Sequence, residues 1–376
     1  MRASRVKLLI FAVFALKLCL LFLYFYVWRD PTLSYLEYVP VDLRSYYRAF
    51  GNDELFYHFT AVLFKNLMNA NGLSLNFTPF MADTLHFGHS YLFALLMYFF
   101  DIDVLGFLVV KLVLFHFIGA WYFYKFAYLY SGSYKSAFVA LAFLLIYPTI
   151  NINFVSLLRE ELIFTFMATT MYFGFQYAKV PRFRYLMMFI ASLIVLLTFR
   201  GHAAAASFIF IGLVFLSHGI FKRLELRLII FGLILLIGIN GLANFDVYYL
   251  YIQGVIQNII VGFPLVKFVT EIPRIMISPL PWNISNDGYH EYIRYWYLVS
   301  LFFILLSLFR LDLLLKSMSK YKWPIVFFIA VYFFIYLTLQ DYGPRQFSVV
   351  GPFLFVFFYS VLVRKIVSPS SKNITR

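Results

Sequence analysis

Residues 104–126, VLGFLVVKLVLFHFIGAWYFYKF, are one of several long apolar runs from which this chain is built. A helix needs about 20 predominantly apolar residues to cross the hydrocarbon core of a membrane. Runs of comparable character occur near residues 6–27, 162–178, 185–199, 203–220, 226–243, 292–309, 323–339 and 349–367. The pattern predicts an all-α polytopic membrane protein.

Composition supports this prediction and excludes several classes of protein. The 376 residues are 63% hydrophobic and 22% aromatic, and only 13% are charged, which is far from the balance of a soluble domain. The net charge of +14 is scattered between the apolar runs, where anionic lipid and membrane topology account for it. Membrane lipid is therefore an expected partner and nucleic acid is not. The single cysteine, Cys19, excludes a disulfide within the chain.

The order of the apolar runs predicts about ten spans, with the N-terminus and the C-terminus both cytoplasmic by the positive-inside rule. A further span is placed near 87–100, and the turn at 101–103 is then cytoplasmic. Residues 137–147 are too short to cross comfortably and are predicted to be re-entrant. This choice puts the basic clusters at 179–184, 222–227, 310–322 and 364–365 inside, and leaves Lys125 and Lys135 on the outer side.

Two long loops are predicted on the external face. The first, 28–86, and the second, 244–291, collect ten of the 17 carboxylates. The chain therefore divides into a membrane module over 1–243 that includes the first loop, the second loop at 244–291, and C-terminal spans over 292–376. The segregation of the carboxylates indicates an external working face.

The first loop contains the stretch GNDELFYHFTA at 51–61. If 53–68 is helical, Asp53, Tyr57 and Ala61 share one face. An apolar stripe of Phe56, Phe59, Leu63 and Leu67 occupies another. Such a helix would lie in the membrane interface and hold its acid near the lipid headgroups. A solvated acid pair at Asp53 and Glu54 is the simpler interpretation of the same residues.

Several arginines are predicted to lie close to this external face. Arg159 precedes Glu160 at the mouth of one span, Arg200 and His202 occupy a short turn, and Arg345 joins the last two spans. An arginine at membrane depth often marks a substrate path, and its guanidinium matches phosphate oxygens. These residues are candidate phosphate ligands. A local ion pair at Arg159 and snorkelling of the other arginines are the alternatives.

Two other features are weaker as functional signals. Asp83, His86 and His89 have a spacing compatible with a divalent metal, but no further ligand is identifiable and no residue is assigned to a metal. Trp282 follows two prolines in the second loop and suits an interfacial segment that covers a lipid-bearing site.

The layout resembles the GT-C superfamily of polytopic glycosyltransferases, such as bacterial aminoarabinose transferases and protein O-mannosyltransferases. The resemblance is carried by Asp53-Glu54-x-x-Tyr57-x-x-x-Ala61 in a long first loop, by the Pro148 segment before a span that opens with acids, and by a second long loop. It implies a seven-span module and a sugar donor on a polyprenyl phosphate or diphosphate carrier. It also implies a loop acid as general base, Asp53 first and Glu54 beside it.

The predicted function is transfer of that sugar to a glycan or lipid acceptor at the periplasmic face of a bacterial inner membrane. Arg159, Glu160, Arg200, His202 and Arg345 would form the donor site, and Tyr57 and Trp282 would contact the acceptor or form a lid. Three alternatives stay open. One is an oligosaccharide polymerase or O-antigen ligase, another is a transporter or flippase of a lipid-linked sugar, and the third is a purely structural membrane subunit.

Overall fold

The computed structural model describes residues 2–23, 52–73, 88–219, 295, 298, 321, 323–330 and 348–357. Every regular element in these ranges is helical and none is a strand, so this part of the chain is all-α as predicted. The helices are α1 Arg2–Phe22, α2 Asn52–Asn71, α3 Gly88–Phe100, α4 Val104–Ser131, α5 Tyr134–Ile146, α6 Pro148–Val155, α7 Glu160–Lys179, α8 Phe183–Phe199 and α9 Gly201–Ser217. An additional apolar helix covers Ser348–Phe357.

Local sequence signals define the boundaries of the longest helix, α4. The side chain of Asp103 accepts a hydrogen bond from the backbone N–H of Gly106 at 2.7 Å and caps the N-terminus. At the other end Gly132 adopts a φ of 66° and donates its N–H to Tyr128 O, the left-handed arrangement that glycine allows most readily. In the described residues, α4 is the one helix both long and apolar enough to cross a membrane.

Helices α4 and α7 run side by side in the same direction. Thr165 Oγ1 donates to Phe115 O at 2.9 Å, and Lys179 Nζ donates to Leu129 O at 2.6 Å. Both contacts join residues 50 positions apart, and a constant offset is the signature of parallel helices. Gly119 permits the close approach, because a Cβ built there would lie 2.5 Å from Thr165 Oγ1.

The parallel arrangement contradicts the predicted re-entrant segment at 137–147. Since α4 and α7 point the same way, the chain between them has to return along the full depth of the pair. Helices α5 and α6 make this return, and they bring Leu158 O to 3.0 Å from Lys111 Nζ in the first half of α4. The prediction failed because it considered α5 alone. Pro148 fits the first turn of a second helix, and the 13 and 8 residues together span about 30 Å.

Helix α1 runs antiparallel to α4. Ile10, in its first half, places its carbonyl oxygen 3.0 Å from Nε2 of His116, and Leu20 and Leu21, near its end, share a hydrophobic cluster with Val104 and Leu108. The bundle therefore has two ends. We call the end where α1 begins and α4 and α7 finish the N-terminal face, and the other end the opposite face.

The predicted span at 87–100 also needs correction. The ring of Phe93 stacks on that of Phe107 at 4.2 Å, so α3 forms a hairpin with the first turns of α4. The connection at 101–103 then lies at the opposite face, where α1 ends. If α1 and α4 each cross the membrane, the chain between them starts and finishes on one side. Asp101 and Asp103, predicted as cytoplasmic, then lie on the same side as Glu160 and Glu161.

Helices α8 and α9 complete the described core. Helix α8 is antiparallel to α7, because Thr170 contacts Ser192 at 3.0 Å while the ring of Phe166 stacks on Phe199 at 5.5 Å. Helix α9 then turns back, and Phe215 packs against Tyr177. These directions place basic residues together at the N-terminal face, which includes Lys125, Lys135, Lys179, Arg182 and Arg184. Lys125 and Lys135, which the sequence-based topology put on the outer side, therefore lie at the same end of the bundle as the other cations.

Candidate functional site

The first turn of α7 carries three successive charged residues, Arg159, Glu160 and Glu161, at the opposite face. Arg159 is the N-cap residue, and both glutamates are fully buried. A carboxylate in the first turn of a helix is stabilised by the positive end of the helix dipole. A buried charge nevertheless needs a partner, and here each of the three side chains finds one on a different element.

Glu161 is held by α1 and α4. Its Oε1 accepts from Lys17 Nζ at 2.8 Å, and Nδ1 of His116 lies 3.0 Å from the same ammonium. An ammonium can only donate, so Nδ1 is the acceptor, and Nε2 carries the hydrogen that points to Ile10 O. His116 is therefore neutral between an ion pair and a carbonyl. We call Lys17, His116 and Glu161 the buried triad.

Glu160 is paired with the connection between α8 and α9. Arg200 precedes α9 and is only 1% exposed, and its Nη1 lies 3.6 Å from Glu160 Oε1. The sequence had assigned both residues to a donor site without predicting that they pair. His202, assigned to the same site, lies in the first turn of α9 and is half-buried.

Arg159 packs on α2. Its guanidinium carbon lies 5.4 Å from the centre of the Tyr57 ring, a cation–π distance. Glu160 and Glu161 beside it form ion pairs with Arg200 and Lys17. Arg159 thereby joins α7 to the helix that carries Asp53.

Helix α2 presents the predicted faces. Tyr57, Ala61 and two further residues on that face, Phe64 and Met68, are buried, and Tyr57 packs against His89 of α3 at 5.0 Å. The apolar stripe, in contrast, is exposed on the surface, where Phe59 is 38% and Leu63 is 53% exposed. A helix with its Phe59 and Leu63 side outward and its Tyr57 side packed inward suits a membrane boundary. The side chains of residues 52–56 lie outside the described part, so Asp53, Glu54 and Phe56 are described by their backbone in α2 alone.

Two further buried groups border this region. Lys111 of α4 donates to the carbonyl oxygens of Ser156 and Leu158 and so holds the irregular segment just before α7. His58 packs on Phe93 of α3 at 5.6 Å. Burial lowers the pKa of His58 to about 4, because desolvation disfavours the charged imidazolium. His58 is therefore neutral at pH 7.

The predicted metal ligands are only partly within the described residues. His89 is buried between the rings of Tyr57 and Phe107, whereas Asp83 and His86 lie outside the description. Among the described residues, no three His, Cys, Asp or Glu side chains form a group suited to a metal ion. Trp282 and Arg345, assigned to the lid and to the donor site, also lie outside the described residues.

Sequence reasoning missed Lys17, Lys111 and His116, and it treated Glu161 only as one of the acids that open a span. A signal was available, because each of the three missed residues is an isolated ionisable group inside a long apolar run. Such residues almost always face the bundle interior and find a partner there.

No family model, no curated protein and no solved structure matches this chain.

Proposed function

We propose that this protein is an integral membrane glycosyltransferase that moves a sugar from a polyprenyl phosphate or diphosphate carrier to a hydroxyl of a glycan or lipid acceptor. One observation carries the proposal. Tyr57, one turn after Asp53 on the inward side of α2, packs on Arg159 at the start of α7. A helical turn rises about 5.4 Å, so the Asp53 backbone lies about one turn from the residue that contacts the buried Arg159.

The chemistry requires two kinds of group at this distance. In the proposed step the carboxylate of Asp53 takes the proton of the acceptor hydroxyl, and the hydroxyl oxygen forms a bond to the anomeric carbon. The bond from that carbon to the carrier phosphate breaks, and the phosphate leaves with the bonding electrons. Arg159 and Arg200 would stabilise the charge that develops on the leaving phosphate, and Arg345 is a further candidate. Glu160 would orient Arg200.

The membrane setting is part of the same proposal. Helix α4 exposes Val113, Leu114, Phe117 and Ile118, as a lipid-facing helix would. The basic residues of the N-terminal face support a cytoplasmic location for that end, with the charged site at the periplasmic face of a bacterial inner membrane. The same proposal includes about ten spans and a cytoplasmic C-terminus. It also includes the division of the chain into a membrane module over 1–243, an external loop at 244–291 and C-terminal spans over 292–376.

The test is transfer from a panel of polyprenyl-phosphate sugars by the purified protein, comparing wild type with Asp53→Asn. Loss of a general base costs about 10²–10⁴-fold in rate. Asp101→Asn is the matched control, because Asp101 lies on the same face in an exposed ion pair with Lys65. A divalent metal is tested in the same assay by adding and removing EDTA. Equal rates for Asp53→Asn and wild type would overturn the role of Asp53, and carrier transport without a new glycosidic bond would overturn the transferase.

A further inference from the structure

The buried triad joins three helices at one ammonium group. Lys17 of α1 donates to Glu161 Oε1 of α7 at 2.8 Å and to His116 Nδ1 of α4 at 3.0 Å, and its Nζ lies 4.3 Å from the centre of the Phe154 ring of α6. We infer that Lys17 is a positioning residue that fixes the N-terminal turn of α7 and, if the proposed function holds, the placement of Arg159 toward the donor phosphate.

The ammonium group of Lys17 contacts three partners, of which two accept its hydrogens. The side chain is 1% exposed and has three hydrogens to place. Two of them reach the carboxylate and the imidazole, and the Phe154 ring covers a further side of the cation. Because each partner belongs to a different helix, the ammonium position determines how α4, α6 and α7 meet.

Two other charged residues, Lys111 and Arg200, also hold the segment around this turn in place. Lys111 holds the carbonyl oxygens of Ser156 and Leu158 just before the turn, and Arg200 faces Glu160 from the connection between α8 and α9. Glu161 lies two residues after Arg159 in the same turn. Its contact with Lys17 therefore constrains the backbone that presents Arg159 to Tyr57.

Stability alone does not account for a buried ion pair. Replacing both members of such a pair by uncharged residues of similar volume is often neutral or stabilising, whereas removing one member leaves an isolated buried charge. What the uncharged pair lacks is a directional contact between the helices. Stability and positioning are therefore separable in this protein by comparing single and double variants.

The experiment uses a cysteine reporter, Leu158→Cys, in a Cys19→Ser background, since Leu158 is half-buried beside the turn. The rate of its reaction with N-ethylmaleimide is measured on folded, monodisperse protein, together with Tm. We expect Lys17→Met to lower Tm, and Lys17→Met/Glu161→Gln to regain it while its reporter reacts about tenfold faster than that of the parent. Lys65→Met, which removes an exposed ion pair on α2, should leave the rate unchanged.

A double variant with a normal Tm and a parental labelling rate would overturn the inference, whatever the sugar-transfer assay gives. The donor KM supplies the second arm, and we expect the double variant to raise it about tenfold. Faster labelling without any transfer by wild type would sustain the positioning of the turn and defeat the proposed function. Faster labelling with an unchanged donor KM would contradict the connection from Lys17 to the donor site.

Discussion

The two ends of the α4–α7 pair differ in the burial of their charged side chains. At the opposite face Lys17, Glu160, Glu161 and Arg200 are fully buried and meet one another as ion pairs. At the N-terminal face Lys125 lies 4.9 Å from the ring centre of Trp121, and Arg182 and Arg184 are exposed. Buried ion pairs fix geometry, whereas exposed cations beside aromatic rings suit a membrane surface. The difference places the buried charges of the proposed site at one end of the bundle and the exposed cations at the other.

The largest effect is expected from labelling the two ends from one side of the membrane. In a Cys19→Ser background, Asp101→Cys and Arg182→Cys place single thiols at the opposite and N-terminal faces. An impermeant maleimide added to intact cells should label position 101, and position 182 only after permeabilisation. The topology with a re-entrant segment put both residues in the cytoplasm. If neither thiol is labelled in intact cells, the topology with a re-entrant segment is correct. The two faces would then not lie on opposite sides of the membrane.

Removing one charge at each end compares the two ends by their contribution to the free energy of unfolding. Glu160→Gln leaves the Arg200 cation buried without its carboxylate, and losing one member of a buried pair costs about 3–5 kcal/mol. Arg184→Gln removes an exposed charge and should change stability by no more than about 0.5 kcal/mol. Denaturant unfolding in detergent measures both. Equal losses would mean that the buried pair contributes no more than a surface charge.

A pH dependence is expected from α2, on the side of the charged site. The pKa of His58 is about 4 in the folded protein and about 6.5 when unfolded. Between these values the unfolded chain binds more protons, so the free energy of unfolding falls as the pH drops from 6.5 towards 4, by up to about 3 kcal/mol. Above pH 6.5 this contribution is constant. His58→Leu should lose this part of the acid sensitivity, and an unchanged pH profile would contradict the burial of His58.

The smallest effects concern the packing between the two ends. Gly119→Ala would place a Cβ 2.5 Å from Thr165 Oγ1 and 3.2 Å from Thr165 Cα, and such overpacking costs about 1–3 kcal/mol. Gly212→Ala meets no atom within 4 Å, and it should stabilise α9 by about 0.5–1 kcal/mol. Opposite signs in the unfolding free energy are the expected result. Gain of stability in both variants would show that α4 and α7 are less closely packed.

The positions of the helices could be predicted from the sequence because apolar runs in this chain are long and interrupted by charge. Helices α4, α7, α8 and α9 lie within a few residues of the predicted segments. Helix directions could not be predicted in the same way. The choice depended on one short segment, α5, and the continuation of the chain into α6 after Pro148 has little periodic signal of its own.

The candidate site was predictable in part for a similar reason. Clustered charges such as Arg159-Glu160-Glu161 stand out in an apolar sequence, and so does the acid-bearing face of α2. Their partners do not, because Lys17 and His116 are single residues 144 and 45 positions away from Glu161. Only the three-dimensional packing of α1 and α4 against α7 brings these groups together.

The central claim is that Asp53 on α2 and Arg159 at the start of α7 belong to one site. A double-mutant cycle on the sugar-transfer rate tests it, with Asp53→Asn, Arg159→Gln and the combination. Residues that act on one transition state are strongly non-additive, so the double variant should be little slower than Asp53→Asn alone. A loss in the double variant equal to the product of the two single losses would place the residues in separate sites and contradict the account.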